Sequence, residues 1–361
     1  MITQRSSTNV VAAFLSGVLG LATIGPVAAA DVKAAFLYVG PRADNGWTFR
    51  HDEARLCLEK AGIPTSFVES VSEGPDVARI ERDFISQGYN VIFGTAFGYQ
   101  PFTQQVAKQN PDKFFFNIGP GIAPNPNIQT YYGKLWDGRY LTGIVAGKMT
   151  KSNKIGFVAA HPKPSVLAGI NAFTLGARSV NPKAEVNVVW TLSWFDPPAE
   201  KQAAVALAEA GNDVIAQHQD TGSAAQGAAE KGAWAIGSEA DLSKIAGDRV
   251  LTGTMWDWCQ YYKNAIASVK DGTFKPGDYF GGLDDDVISL APFNKAIPAD
   301  VVALVNEKKQ AIIDGKFDYW KGPLKSNDGK VVVPEGGTLS LTDVQKVLWL
   351  VEGVNGTVGK K

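Results

Sequence analysis

Reactive side chains are scarce in this chain: 361 residues include three histidines, two cysteines and three methionines. His51, His161 and His218 fall on separate stretches with no H-x-x-x-H spacing, so nothing marks them as a metal site, and each can as readily donate a hydrogen bond to a ligand or cap a turn. After the first thirty residues there is no Walker loop, GxSxG, HExxH or CxxC, and no GxGxxG behind a strand-like run. These gaps remove the commonest phosphate-binding, hydrolytic and zinc chemistries and leave no residue set that calls for a cofactor. An excess of one charge is missing as well. Lys+Arg 35 against Asp+Glu 36 gives a formal net charge of -1, which offers no electrostatic case for nucleic acid. Asp284-Asp285-Asp286 is the densest acidic cluster; without EF-hand spacing it reads as a solvated turn.

Residues 1–30 have the makeup of a secretory signal peptide. Arg5 supplies the positive charge, Val10 to Ile24 is mostly apolar, and Val27-Ala28-Ala29-Ala30 is a small-residue cleavage pattern. That apolar run is short for a membrane span, and no later stretch approaches the roughly 20 apolar residues a spanning helix needs. No cysteine sits at the expected cut, so a lipid anchor there is not available. The expectation is an exported, soluble, periplasmic protein. Cys57 and Cys259 can pair or stay free in an oxidising compartment, and the sequence leaves this open. The remaining length exceeds what one core usually serves, so two domains are expected.

Short apolar runs alternate with helical stripes along the chain. Val32 to Val39 reads as a strand, and Ala54, Cys57, Leu58 and Ala61 as the buried face of the helix that follows. The pattern recurs with strands near Asn90–Gly94, Lys113–Ile118 and Gln129–Leu135. A second series follows at Ile155–Ala160, Val186–Leu192, Asp213–Gln217, Ala233–Ile236 and Arg249–Leu251. Such alternation predicts βαβ units and parallel sheets. The fold class expected is α/β, with two doubly wound parallel-sheet lobes joined by a hinge. Residues 31–135, joined by about 256–285, would form lobe one, and 136–255 lobe two. Residues 286–361 would brace the hinge or a lobe, with a hairpin turn at Asn327–Lys330 and a last helix over Leu341–Val354.

In open α/β sheets, ligands bind beyond the carboxyl ends of the strands. Trp47, Phe97, Tyr99, Trp194, Phe195, Trp256 and Trp258 all fall there. Asp44, Asn45, Asn117, Asp196, Gln219, Asp220, Glu239, Asp241 and Asp257 lie beside them. One aromatic at a strand end is more often packing than binding. Seven, each next to hydrogen-bonding groups, fit a cleft that sandwiches a flat polar ligand and reads its edge. Two stacks at roughly 1–3 kcal/mol each and a few hydrogen bonds at about 1 kcal/mol approach the roughly 8 kcal/mol of a micromolar complex. Nothing marks two carboxylates as a hydrolytic pair, so capture without chemistry is the simpler reading.

The segments Asp44-Asn45-Gly46-Trp47, Phe97-Gly98-Tyr99, Gly169-Ile170-Asn171-Ala172-Phe173, Ser193-Trp194-Phe195-Asp196-Pro197, Gly232-Ala233-Trp234-Ala235-Ile236-Gly237 and Val250-Leu251-Thr252 resemble the basic membrane protein family of periplasmic substrate-binding proteins. That group includes the bacterial purine nucleoside receptor lipoprotein, and the resemblance runs from about Lys33 to about Gly315. It implies a type I periplasmic binding fold, a purine nucleoside or base as ligand, and permease subunits of an ABC transporter as partners of a monomer. Asp44, Asn45 and Trp47 match the family's first ligand-contacting turn. Phe173 matches the aromatic facing it from lobe two, with Trp194 the other candidate for that role. Glu239 and Asp241 fall where a carboxylate holds the sugar. Two positions depart: Asn117 stands where nucleoside-binding members carry Asp, and Trp256 where they carry Lys. The loss of that cation and the gain of a ring favour a free purine base over a nucleoside. The competing readings are a subunit presenting the same ligand to a signalling receptor and an exported nucleoside hydrolase.

Overall fold

The computed structural model describes Met1, residues 31–121 and residues 124–358; all but the first residue of the expected signal segment lies outside that range. Among the described residues fifteen strands occur in chain order: β1 (Ala34–Leu37), β2 (Thr65–Val68), β3 (Val91–Gly94), β4 (Phe114–Ile118), β5 (Ile128–Gly133), β6 (Lys154–Ala159), β7 (Glu185–Trp190) and β8 (Val214–His218). They continue with β9 (Trp234–Glu239), β10 (Val250–Trp256), β11 (Gly277–Gly281), β12 (Ile288–Leu290), β13 (Leu324–Lys325), β14 (Val331–Val333) and β15 (Val354–Asn355). One sheet has the order β11-β5-β4-β3-β1-β2, with every pair parallel. The other runs β12-β10-β9-β8-β6-β7-β15 and is parallel except for β12 against β10. These are the two lobes, and the strands of both read as near-continuous apolar runs because helices cover both faces.

Three stretches pass between the sheets. After β5 the helix Leu135–Met149 packs on the helix Pro164–Val180 of the second lobe. The two backbones meet so closely that a Cβ at Gly143 would lie 2.1 Å from the Phe173 carbonyl oxygen. After β10 the helix Cys259–Lys270 returns to the first lobe, where Cys259 is bonded to Cys57 on the helix Trp47–Lys60. The chain crosses again between β11 and β12.

The C-terminal segment departs from its expected form. The hairpin at Asn327–Lys330 is present, between β13 and β14. The long helix expected over Leu341–Val354 is not: it ends at Val344, after a capping box formed by Ser340 and Asp343. Buried Asn171 provides the reason. Its amide donates to the Trp349 carbonyl (2.9 Å) and accepts from the Val351 N–H (2.8 Å), and β15 then adds a strand beside β7. Backbone partners offered by the second lobe outweigh a local helical periodicity.

Candidate functional site

The site begins at the turn after β1. Asp44 is buried, and its carboxylate accepts from the backbone N–H groups of Gly46 (2.8 Å), Thr48 (2.8 Å) and Phe49 (2.9 Å). These bonds anchor the first turn of the helix Trp47–Lys60. Asn45 takes a left-handed φ of 61° and donates to the Ala43 carbonyl, so it shapes the turn. Gly46 touches the other lobe: a Cβ there would lie 2.2 Å from the Asp220 carbonyl oxygen. Arg50 Nε also donates to the Trp256 carbonyl at 2.5 Å. The lobes are closed on each other along this edge.

Trp47 is held at its polar end by a 2.9 Å bond from its indole N–H to the Thr95 carbonyl. Its ring stands edge-on to His51 and Trp256, at 4.4 and 5.4 Å between centroids. Trp256 ends β10, is fully buried, and stacks on Trp258 at 4.9 Å. Its indole N–H donates to Glu239, the last residue of β9, which sits at a φ of 69°. Ser238 Oγ also donates to Glu239 (2.7 Å) and accepts from Arg139 Nη2 (2.5 Å). Arg139 is fully buried, and its Nε and Nη1 have no partner among the described residues.

Between these groups lies an inner chamber of about 40 Å³, bounded by Trp47, Thr95 and Tyr132 on one side and by His218, Asp220, Glu239 and Trp256 on the other. At about 10–15 Å³ per water centre, it admits a few waters. It adjoins an outer compartment of about 400 Å³. Glu73, Phe97, Tyr132 and Trp194 line both spaces and mark their junction.

Burial dominates the electrostatics. It pushes the Asp220 carboxyl well above the usual range, and the neighbouring Glu239, Asp44 and Glu200 act in the same direction. Glu239 is raised by burial and partly restored by the Arg139 guanidinium and the hydrogen bonds of Ser238 and Trp256. His218 is driven well below the ordinary imidazole value, by burial first and then by Arg139. Arg139 itself is lowered by burial to about 10, against the pull of Glu239. The chamber thus sets a carboxyl biased toward its protonated form beside hydrogen-bonded Glu239 and a neutral imidazole, a wall that can both donate and accept.

Of the residues expected in the site, Trp47, Phe97, Trp194, Glu239 and Trp256 line the cleft. Others do not. Phe173 is fully buried, edge-on to Phe157 at 5.5 Å inside the second lobe, so the ring available opposite the first lobe is Trp194. Tyr99 points into the first lobe's core and donates to the Val71 carbonyl (2.6 Å). Asn117 is fully buried and donates to the carbonyls of Ala96 (3.1 Å) and Ile118 (2.8 Å), tying β4 to the loop after β3. Asp196 caps the helix Pro197–Glu209, Asp241 accepts from Ser243 N–H, and exposed Asp257 accepts from Cys259 N–H. Gln219 donates to Thr191 Oγ1 at 2.9 Å. The sequence reading missed Tyr132, Glu73 and Arg139. Tyr131-Tyr132-Gly133, an aromatic pair at the end of β5, carried the same signal as the other strand ends.

Two parallel-sheet lobes closed over an aromatic cleft at the carboxyl ends of their strands define a two-lobed solute-binding protein. Residues 31–317 match the family described as ABC transporter substrate-binding protein PnrA-like, and the chain belongs to that family of non-catalytic binding proteins. It is 39% identical to a purine-binding protein of Brucella abortus over 82% of this chain and 85% of that one. It is 34% identical to a putative ABC transporter glucose-binding protein of Haloferax volcanii, over 92% and 83% of the respective chains. In fold it is similar to an ABC transporter solute-binding protein from Conexibacter woesei, with a TM-score of 0.68 at 23% identity, covering 79% of this chain and 97% of that one. No helix among the described residues is long and apolar enough to cross a membrane.

Proposed function

We propose that this chain captures a purine in the periplasm and delivers it, as a monomer, to the permease subunits of an ABC importer. The observation that carries the reading is the junction between the two spaces of the cleft. There Trp194 of the second lobe and Phe97 and Tyr132 of the first supply aromatic faces, beside the donor-and-acceptor wall of His218, Asp220 and Glu239. Stacking takes the two faces of a heterocycle and the wall reads its edge. The Brucella relative named for purine binding supports the same cargo. The Haloferax relative named for glucose points elsewhere, but the rings of Trp194, Phe97 and Tyr132 at the junction suit a planar ring better than a lone hexose. Ligand binding would stabilise the closed arrangement of the lobes, the form a transporter can distinguish from the open one. Calorimetric titration of the mature chain with adenine, guanine, hypoxanthine and glucose tests this. A purine is expected to bind most tightly, and glucose binding more tightly than every purine would overturn the reading.

A further inference from the structure

Arg139, on the helix Leu135–Met149, is fully buried behind the inner chamber and does not line it. Its guanidinium reaches toward two of the groups that do. On one side Nη2 donates to Ser238 Oγ at 2.5 Å. That oxygen gives a lone pair to the guanidinium, and its single proton goes to Glu239 Oε1 at 2.7 Å. The other carboxylate oxygen accepts from the Trp256 indole N–H. Glu239 is thus surrounded by donors and faces the chamber as an acceptor. On the other side, Arg139 Nε and His218 Nδ1 are both buried without a partner among the described residues. The two nitrogens border one spot: a Cβ on Gly169 would lie 3.9 Å from Nε and 3.7 Å from Nδ1.

An arginine Nε carries a proton and no lone pair, so what complements it at that spot is a bare nitrogen. With a proton on Nδ1, two buried N–H groups, one of them on a cation, would point at the same place and neither would find an acceptor. With Nδ1 bare, its lone pair meets the cation, and the imidazole proton sits on Nε2, across the ring. That ring borders the chamber. We propose that Arg139 is a positioning residue that sets the hydrogen-bond polarity of the ligand wall. It holds His218 with its proton on Nε2, as a donor toward the chamber, and through Ser238 it holds Glu239 as an acceptor. The ligand edge that fits this wall carries an acceptor and a donor side by side, as adenine does with N7 and its N6 amino group. That consequence rests on the purine reading; the tautomer does not.

Nitrogen NMR of the imidazoles in the full mature chain tests the assignment, since three histidines give three patterns and His218→Phe identifies the one concerned. At neutral pH that pattern is expected to be the Nε2–H tautomer, and saturation with adenine should shift the Nε2–H proton and slow its exchange. A proton on Nδ1 overturns the inference. So does an Nε2–H that stays unshifted while calorimetry shows adenine bound, and the purine reading then stands. Arg139→Gln replaces the cation by an amide whose oxygen can accept from Nδ1. It should move part of the His218 population to the Nδ1–H tautomer and weaken adenine binding by about tenfold. An unchanged tautomer in this variant, with or without a loss of affinity, leaves Arg139 as packing only and overturns the inference. Should Arg139→Gln not fold, Gly169→Ala decides: its methyl meets both nitrogens at ordinary contact distance, so the His218 Nδ1 resonance should move, and an unmoved resonance refutes the pairing. If adenine does not bind at all, the purine reading falls and the tautomers still decide this one.

Discussion

Trp194 and Trp47 both line the cleft, yet removing them should have opposite signatures, because one ring is half-buried and open to the cleft while the other is packed into the core. Trp194 is half-buried, and its ring contacts are with His161 and His218, at 5.1 and 6.2 Å. Its indole N–H has no hydrogen-bond partner among the described residues that would brace the lobe. Trp194→Ala should therefore cost little stability while removing one stack, roughly 1–3 kcal/mol of binding, or about 5- to 150-fold in Kd. Trp47 is only 8% exposed, donates to the Thr95 carbonyl, and packs against His51 and Trp256. Trp47→Ala should cost about 3–5 kcal/mol of stability as a truncated core aromatic, with a further contribution from the stranded Thr95 carbonyl. Denaturant titration followed by calorimetry with a purine separates the two quantities. If Trp194→Ala binds within about twofold of the unaltered chain, where the loss of a stack predicts at least fivefold, the second face of the sandwich is misassigned. If Trp47→Ala loses affinity at unchanged stability, Trp47 is a ligand platform and not a strut.

Gly46→Ala should keep the lobes apart, since the added methyl would meet the backbone oxygen of Asp220, which cannot swing away; small-angle scattering of the ligand-saturated variant should show a larger radius of gyration than the unaltered complex, and equal radii would refute the contact. The Cys57–Cys259 bridge spans 202 residues, and a loop of that length corresponds to about 5 kcal/mol in the chain-entropy account; the double serine variant should lose up to that amount in denaturant unfolding, and an unchanged midpoint would contradict it. Glu81 is fully buried and raised by burial from 4.5 to about 8, with Thr103 donating to one oxygen and the other unpartnered. Its folded value lies above its unfolded one, so its contribution is fully present below about pH 4.5 and is lost as pH rises through about 8. Glu81→Gln, which needs no proton to stay neutral, should gain about 1 kcal/mol at pH 5 and about 3 kcal/mol at pH 7; a gain that shrinks with rising pH would refute the assignment.

The fold was readable to the extent that its signals are local. Val91-Ile92-Phe93 and Phe115-Phe116 are buried on both faces of their strands, and such runs between helical stripes announce a parallel sheet before any contact is known. The helix expected over Leu341–Val354 failed because its periodicity competed with hydrogen bonds from Asn171, more than 170 positions away in sequence. The site was half readable. Residue type at a strand end picked out Trp47, Phe97, Trp194, Glu239 and Trp256, which line the cleft, and by the same rule Tyr99, Asn117 and Asp44, whose side chains are bonded to backbone groups of their own lobe.

The amino-acid order thus determined the alternation of strands and helices, the two lobes and the aromatic character of the strand ends, all consequences of side-chain periodicity over a few residues. Closure of the lobes decided the rest. Whether an aromatic meets a ligand or the core depends on which face of a strand end it occupies and what the opposite lobe places there. That is why Phe173 disappears into the second lobe while Trp194 remains in the cleft. It is also why Tyr132, at the end of β5, and Gln345, from the C-terminal segment, come to line the same space. Contacts between segments a hundred or more residues apart leave no periodic trace in the chain, so only the folded arrangement reveals them.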